Sequence, residues 1–250
     1  MHSQINFGYP WYLSWGHLLL AVPSALAAWR LRNRWVRAVC LVVVFWALSA
    51  WAVLQVGLGV QRRATLPTAN FLASGAGRVL DLGAGTGRSA LMVLEARPQA
   101  TLVALDEFGP SFEMHFGKSA EHLLLENLKA AGVASRVTVE KADMRKIPIS
   151  DASFDAIVSA YAIDHLGRRG AEETLREAYR VLKPGGEFLF IVTNADFWLR
   201  YMAGPLLVHN RMRGMEDWRP ILTGPGFQVA EQGNSPGTLF VLLRKPAMAP

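Results

Sequence analysis

The chain has 250 residues, 51% of them apolar, a formal net charge of +6 and a single cysteine. That length fits one large domain or an ordinary domain with an appendage, and the lone Cys40 excludes an internal disulfide framework and a cysteine cluster for metal. The charge does not mark a nucleic-acid partner: Arg30, Arg32, Arg34, Arg37, Arg62 and Arg63 are the only charged side chains in the first 63 residues, and beyond them 20 basic groups meet 20 acidic ones.

From Ala38 to Val60 only Ser49 and Gln55 are polar. As a helix this run would measure roughly 34 Å, enough to cross a bilayer with some tilt. The earlier run Trp11 to Trp29 is interrupted by Ser14, His17 and Pro23. Trp11, Tyr12, Trp15, Trp29 and Trp35 lie near the ends of these runs, where amphipathic rings favour the headgroup region. Residues 1–63 therefore read as a membrane-associated segment with one or two transmembrane or interfacial helices, about 11–29 and 38–60. Burial inside a soluble protein or oligomer is the competing reading. Ala25-Leu26-Ala27 has the form of a signal-cleavage site, but no positive charge precedes the apolar stretch. The four arginines from Arg30 to Arg37 favour the cytoplasmic side, which after two crossings would leave the remainder outside. A shallow hairpin with arginines on anionic headgroups resolves that conflict differently, so the number of crossings stays open.

Residues 61–77 read as a linker rich in Pro67, Asn70, Ser74, Gly75 and Gly77. Strands and helices then alternate. Strands are expected at 79–82, 101–105, 137–140, 156–159 and 188–192, with further apolar runs at 227–230 and 239–243. Helices are expected at 88–96, stopped by Pro98, at about 119–131, stopped by Gly132, and at 171–182, stopped by Lys183-Pro184-Gly185-Gly186. This alternation predicts an α/β fold: a parallel sheet with helices on both faces and ligands at the carboxyl ends of the strands.

The run Val79-Leu80-Asp81-Leu82-Gly83-Ala84-Gly85-Thr86-Gly87 reads as a buried strand turning through three glycines into a helix, a cradle for a nucleotide-like cofactor. Asp106 ends the next apolar run, where a ribose-binding carboxylate belongs. The dinucleotide fingerprint wants a third glycine at 88, but Arg88 stands there, and Asp81 precedes the first glycine by two. The pattern resembles motif I of the class I S-adenosylmethionine-dependent methyltransferases. The resemblance continues through Ala104-Leu105-Asp106-Glu107, Ala142-Asp143-Met144, Ser153 to Ser159 and Arg180 to Gly186. It implies a Rossmann-like, seven-stranded, mostly parallel sheet with an antiparallel last strand, and S-adenosylmethionine as cofactor. It also implies roles. The backbone of Gly83, Ala84, Gly85 and Gly87 faces the amino-acid moiety, Asp81 its ammonium, and Asp106 the ribose hydroxyls. Glu107 and Phe108 flank ribose and adenine, Asp143 accepts from the adenine amino group, and Met144 packs on the ring. The plainer alternatives are strand-end caps for Asp81 and Asp106 and a core filler for Met144.

Methyl transfer from a sulfonium asks mainly for alignment of the acceptor. The segment Ser159 to His165 leaves the fourth strand at the expected methyl-facing edge. His165 is the candidate base or acceptor-orienting group, with Tyr161 and Asp164 beside it. Alternatively His165 caps a turn, Asp164 starts a helix and Tyr161 merely packs. The aromatic stretch from Phe108 to Gly117 suits a flap. The stretch from Asn194 to Gly226, with Phe197, Trp198, Tyr201, Met202, His209, Arg211, Met212, Arg213, Met215 and Trp218, suits an apolar acceptor pocket with a basic rim, or else helices packed on the sheet.

The combined expectation is a membrane-attached methyltransferase. Its domain, residues 64–250, would be cytoplasmic and act on a lipid- or quinone-like small molecule, without metal or nucleic acid. Neither the attacked atom nor the oligomeric state is legible. Two other readings remain: a non-catalytic S-adenosylmethionine-binding membrane protein, and an NAD-dependent oxidoreductase suggested by Tyr179 and Lys183 in a Tyr-x-x-x-Lys spacing.

Overall fold

Apolar residues alternate along the strands and divide between two faces, and each face is covered by helices. The structure, a computed structural model, describes residues 5–9, 11–57, 59, 62–109, 119–194, 196, 214–235 and 237–247. The strands are β1 (Ala76–Leu82), β2 (Gln99–Asp106), β3 (Val137–Lys141), β4 (Phe154–Ala160), β5 (Leu182–Thr193), β6 (Gln228–Ser235) and β7 (Thr238–Arg244). They form one sheet of order β3-β2-β1-β4-β5-β7-β6. The first five are parallel, and β7 runs antiparallel to both β5 and β6. The chain works outward from β1 to β3 and then restarts on the other side at β4. A crevice therefore opens beyond the carboxyl ends of β1 and β4, where ligands of such sheets bind.

Val79, Leu102, Ala104, Val158 and Leu189 face one core cluster with Leu91 and Leu94 of α4 (Arg88–Ala96) and Leu124 and Leu128 of α5 (Ala120–Ala130). Leu80, Leu105, Ile157, Phe188 and Phe190 face the other, with Leu175 and Ala178 of α6 (Gly167–Val181) and Trp218 of α7 (Met215–Thr223). Helix α6 starts four residues before its expected beginning because Arg168–Glu172 and Arg169–Glu173 pairs, one helical turn apart, bind the polar first turn together. Strand β5 also starts early: Leu182 already pairs with Phe154. Pairing then resumes at Ala156 with Glu187, and Lys183 to Gly186 form the excursion between them.

The N-terminal region is a helical hairpin. Its first arm is α1 (Trp11–Trp15) and α2 (Leu18–Arg30), and the second is α3 (Arg34–Ala52) continued by a π-turn over Val53–Gly57. Helix α3 begins earlier than the apolar run alone suggests, since the Asn33 side chain accepts from the Trp35 and Val36 N–H groups at 2.9 and 3.4 Å. The arms run side by side, with Trp15 against Trp51 and His17 against Trp46 at ring separations of 5.9 and 5.6 Å. Residues Arg34–Val56 are long and apolar enough to cross a membrane, with mean hydropathy 2.3. Upstream of the hairpin, Phe7 is buried in the α4–α5 core cluster, and Ile5 and Tyr9 pack against it. Thus residues 5–9 belong structurally with the sheet domain rather than with the apolar helices that follow them.

Candidate active site

The glycine loop joins β1 to α4, and its three glycines serve different needs. All have positive φ: 77° at Gly83, 50° at Gly85 and 87° at Gly87. A Cβ on Gly83 would lie 2.3 Å from the Ala162 Cβ and 3.0 Å from the Met144 Cε, and one on Gly87 would lie 2.6 Å from Leu124 Cδ1. At Gly85 an added Cβ meets nothing within 4 Å among the described residues. Only Gly85 fronts open space; the other two let the loop nest against protein. The loop's donors are also engaged internally. Gly83 and Ala84 N–H donate to the Leu105 carbonyl at 2.8 and 3.1 Å, and Gly87 N–H to the Ala84 carbonyl at 2.8 Å. Gly85 N–H donates to Asp106 Oδ2 at 2.9 Å. Tight turns, strand-end pairing and the Asp106 carboxylate thus engage all four of these N–H groups.

Asp81 is fully buried at the end of β1, facing the N-terminus of α4. Ser89 Oγ donates to its Oδ2 at 2.7 Å, while Oδ1 has no hydrogen-bond partner among the described residues. Burial pushes its carboxyl up to about 7, with the Asp106 charge adding to the rise and the Ser89 and Ala90 hydrogen bonds opposing it. A buried carboxylate with one oxygen unsatisfied suits a cationic partner. Asp106, at the end of β2, also accepts from Phe108 N–H at 2.8 Å through Oδ1. Phe108 takes a left-handed backbone, φ 48°, and turns into the core, while Glu107 is exposed. Asp143 is gripped by Arg145, whose Nε lies 2.9 Å from both carboxylate oxygens and whose terminal nitrogen lies 2.7 Å from Oδ2. That guanidinium holds the Asp143 carboxyl below its ordinary range and lies 4.0 Å from Glu107. Met144 sits half-buried beside Gly83.

Beyond β4 the backbone turns sharply. Tyr161 has φ 55°, an uncommon conformation for a bulky residue. Its N–H donates to the Ile191 carbonyl at 2.8 Å, its hydroxyl is 2.8 Å from Thr238 Oγ1, and burial raises its phenol pKa. A single 3₁₀ turn, Ile163–His165, follows. Asp164 is buried: Thr193 Oγ1 donates to its Oδ2 at 3.2 Å, Oδ1 has no partner among the described residues, and burial raises its pKa. His165 is exposed on that turn, with its N–H on the Ala162 carbonyl at 3.1 Å. Asp164 also stands in the first turn of the short 3₁₀ helix, in keeping with the plainer alternative of a helix start.

Several partners here escaped the sequence reading. Ser89 stands two residues past the last glycine, where a hydroxyl can reach back to the strand end; Arg145, Thr193 and Thr238 gave no signal. Trp218 is core rather than pocket lining: it is 1% exposed and lies edge-on to Phe190 at 4.9 Å. The oxidoreductase pair is likewise dissolved, for Tyr179 lies edge-on to Phe227 at 5.0 Å while Lys183 Nζ pairs with Asp155 at 2.6 Å. Of the expected flap, Phe108 to Gly117, residues 110–117 lie outside the described residues, as do the cover residues from Phe197 to Arg213.

A seven-stranded sheet with β7 reversed, a glycine loop after β1 and a carboxylate at the end of β2 match what the resemblance to the class I S-adenosylmethionine-dependent methyltransferases implies. A family model described as a methyltransferase domain matches residues 79–186. The chain is 34% identical over 116 residues to the ubiquinone/menaquinone biosynthesis C-methyltransferase UbiE of Geotalea daltonii, covering 46% of this chain and 45% of that protein. It is 34% identical over 134 residues to the protein of the same name from Syntrophotalea carbinolica, covering 53% and 51%. The chain thus spans about half the length of the curated relatives it matches. Among solved structures, the S-adenosylmethionine-dependent methyltransferase SibL in its apo form superposes with a TM-score of 0.57 at 21% identity, over 83% of this chain and 58% of that one, a likeness of fold.

Proposed function

We propose that this chain is a membrane-attached methyltransferase that transfers the methyl group of S-adenosylmethionine to a quinone-like or otherwise amphipathic small molecule. The observation that carries the reading is Asp81: a fully buried carboxylate with one oxygen unsatisfied among the described residues, four positions before the one loop glycine that fronts open space. The bound cofactor would supply a methyl group on a sulfonium leaving group. In this reading Asp81 holds its ammonium and Asp106 the ribose hydroxyls. Asp143, oriented by Arg145, accepts from the adenine amino group, with Met144 and Phe108 on the ring faces and Glu107 at the rim. Tyr161 and Asp164 shape the acceptor side, and His165 takes the acceptor's proton or orients it. Alignment supplies most of the rate, an effect worth about 7–11 kcal/mol in favourable cases.

The acceptor class is supported by the names of the relatives and by the apolar hairpin beside the domain. Residues 11–57 would sit in or on the bilayer, with the domain on the cytoplasmic side where the cofactor is made. The test is a methyl-release assay on the full chain in phospholipid vesicles, with a panel of lipids and ring-unsubstituted quinones. The expected result is S-adenosylhomocysteine together with a product heavier by one methylene. Cofactor binding without product across the panel would favour the non-catalytic binding reading.

A further inference from the structure

The two ends of the hairpin attach to the same place. Upstream, Asn6 and Asn127 exchange hydrogen bonds: Asn6 N–H to Asn127 Oδ1 and Asn127 Nδ2 to the Asn6 carbonyl, each 2.8 Å. The same amide donates to the Thr86 carbonyl at 2.9 Å, and Thr86 Oγ1 donates to the Phe7 carbonyl at 3.2 Å. Downstream, the Arg88 guanidinium donates to the Gly59 carbonyl at 2.8 Å and the Arg62 carbonyl at 3.3 Å, and Arg63 pairs with Glu95 on α4. Thr86 and Arg88 flank Gly87, the last glycine of the loop. Asn127 is 2% exposed among Leu123, Leu124 and Leu128 on α5. A polar amide there costs desolvation that a leucine would not, and its three hydrogen bonds all run to the upstream stalk or the loop.

On the reading above, in which this loop holds the methyl donor, we propose that Asn127 and Arg88 are positioning residues through which the two stalks of the apolar hairpin hold the donor loop in shape. Each acts through the Thr86–Gly87 backbone rather than by touching the donor. Both stalks meet one loop, so a bilayer-inserted hairpin enters and leaves on the same face and crosses an even number of times. Displacement of the hairpin is then felt at the loop, and by reciprocity donor binding stiffens the seat of the hairpin.

The test uses the full chain in vesicles of phosphatidylcholine and phosphatidylglycerol, with S-adenosylhomocysteine affinity measured by calorimetry. Asn127→Ala and Arg88→Ala are each expected to weaken binding about five-fold or more, and to raise the donor KM more than they lower kcat. Arg88→Lys, able to reach one of the two carbonyls, is expected to recover part of the loss. Should Asn127→Ala fail to fold, the Arg88 pair carries the test alone, with cooperative melting as the check. Folded variants that bind S-adenosylhomocysteine as tightly as the parent overturn the proposal. A parent chain that binds none, in vesicles or detergent, overturns the donor-loop reading instead. In a Cys40→Ser background, an N-terminal tag and a Ser74→Cys label should be reachable from the same side of the vesicle; opposite sides would also overturn the clamp.

Discussion

The hairpin and the sheet domain distribute apolar side chains in opposite ways. Of the 18 large hydrophobic residues strongly exposed among the described residues, all but Leu125 lie between Trp11 and Val56. In the domain the fully buried side chains include the large ones Trp218, Phe71, Phe154, Phe188 and Phe190, whereas the residues buried where α2 meets α3 are Ala21, Ala28, Ala47 and Ala50. Water drives big apolar groups inward. Where the surroundings are themselves apolar that drive vanishes, small residues let helices approach closely, and big ones face out. The contrast is what the proposed membrane attachment of the hairpin would produce.

The largest test of that contrast separates them. Replacing residues 10–58 with a short flexible linker, while keeping 5–9, is expected to abolish flotation with anionic vesicles yet leave one cooperative melting transition. Deleting residues 1–63 outright should instead lower the melting temperature, because it also strips Phe7 from the core and removes two of the three hydrogen bonds of Asn127, leaving the one to the Thr86 carbonyl. Next, Phe7→Ala is expected to cost about 3–5 kcal/mol in denaturant unfolding, whereas Leu41→Ala in the exposed hairpin face should change domain stability by less than about 0.5 kcal/mol. Equal losses would mean that the hairpin is an ordinary part of the core.

A smaller effect concerns Asp81. Its carboxyl is pushed up to about 7, so the ligand-free fold favours the protonated form; that contribution is whole below about pH 4 and is lost as pH rises through 7. Binding of a cationic donor needs the ionised form, so S-adenosylmethionine affinity should rise about tenfold between pH 6 and 8, and stay flat in Asp81→Asn. Smallest of all, Arg32→Gln at the hairpin tip should weaken binding to anionic vesicles by about 1 kcal/mol without altering donor affinity.

The strand and helix order, the glycine loop and the two aspartates were legible because they are local: a hydrophobic run, a turn chemistry and a strand-end acid within a few residues. What the glycines are for was not. Gly83 and Gly87 are constrained by Ala162 and Leu124, which arrive from distant parts of the chain. The same holds for Trp218, whose aromatic character fits a pocket as well as a core until Phe190 is placed beside it. The role of residues 5–9 had no signature of its own, although Asn127 among buried leucines was a clue that something polar had to meet that face. The start of α3 depended on one capping residue, Asn33, which a count of apolar positions overlooks.

The bond between Asn6 and Asn127 joins positions 121 apart, and this imposes an order in time. During synthesis residues 11–57 emerge, and can enter a bilayer, long before Asn127 exists. Residues 5–9 can therefore take their place only once α5 has formed, and on the proposed membrane attachment they would wait beside the bilayer until then. On that proposal, residues 5–9 carried across the bilayer could never make the bond to Asn127. The orientation of the hairpin would then have to be settled before the domain folds, and completion of the domain would record that it was settled correctly.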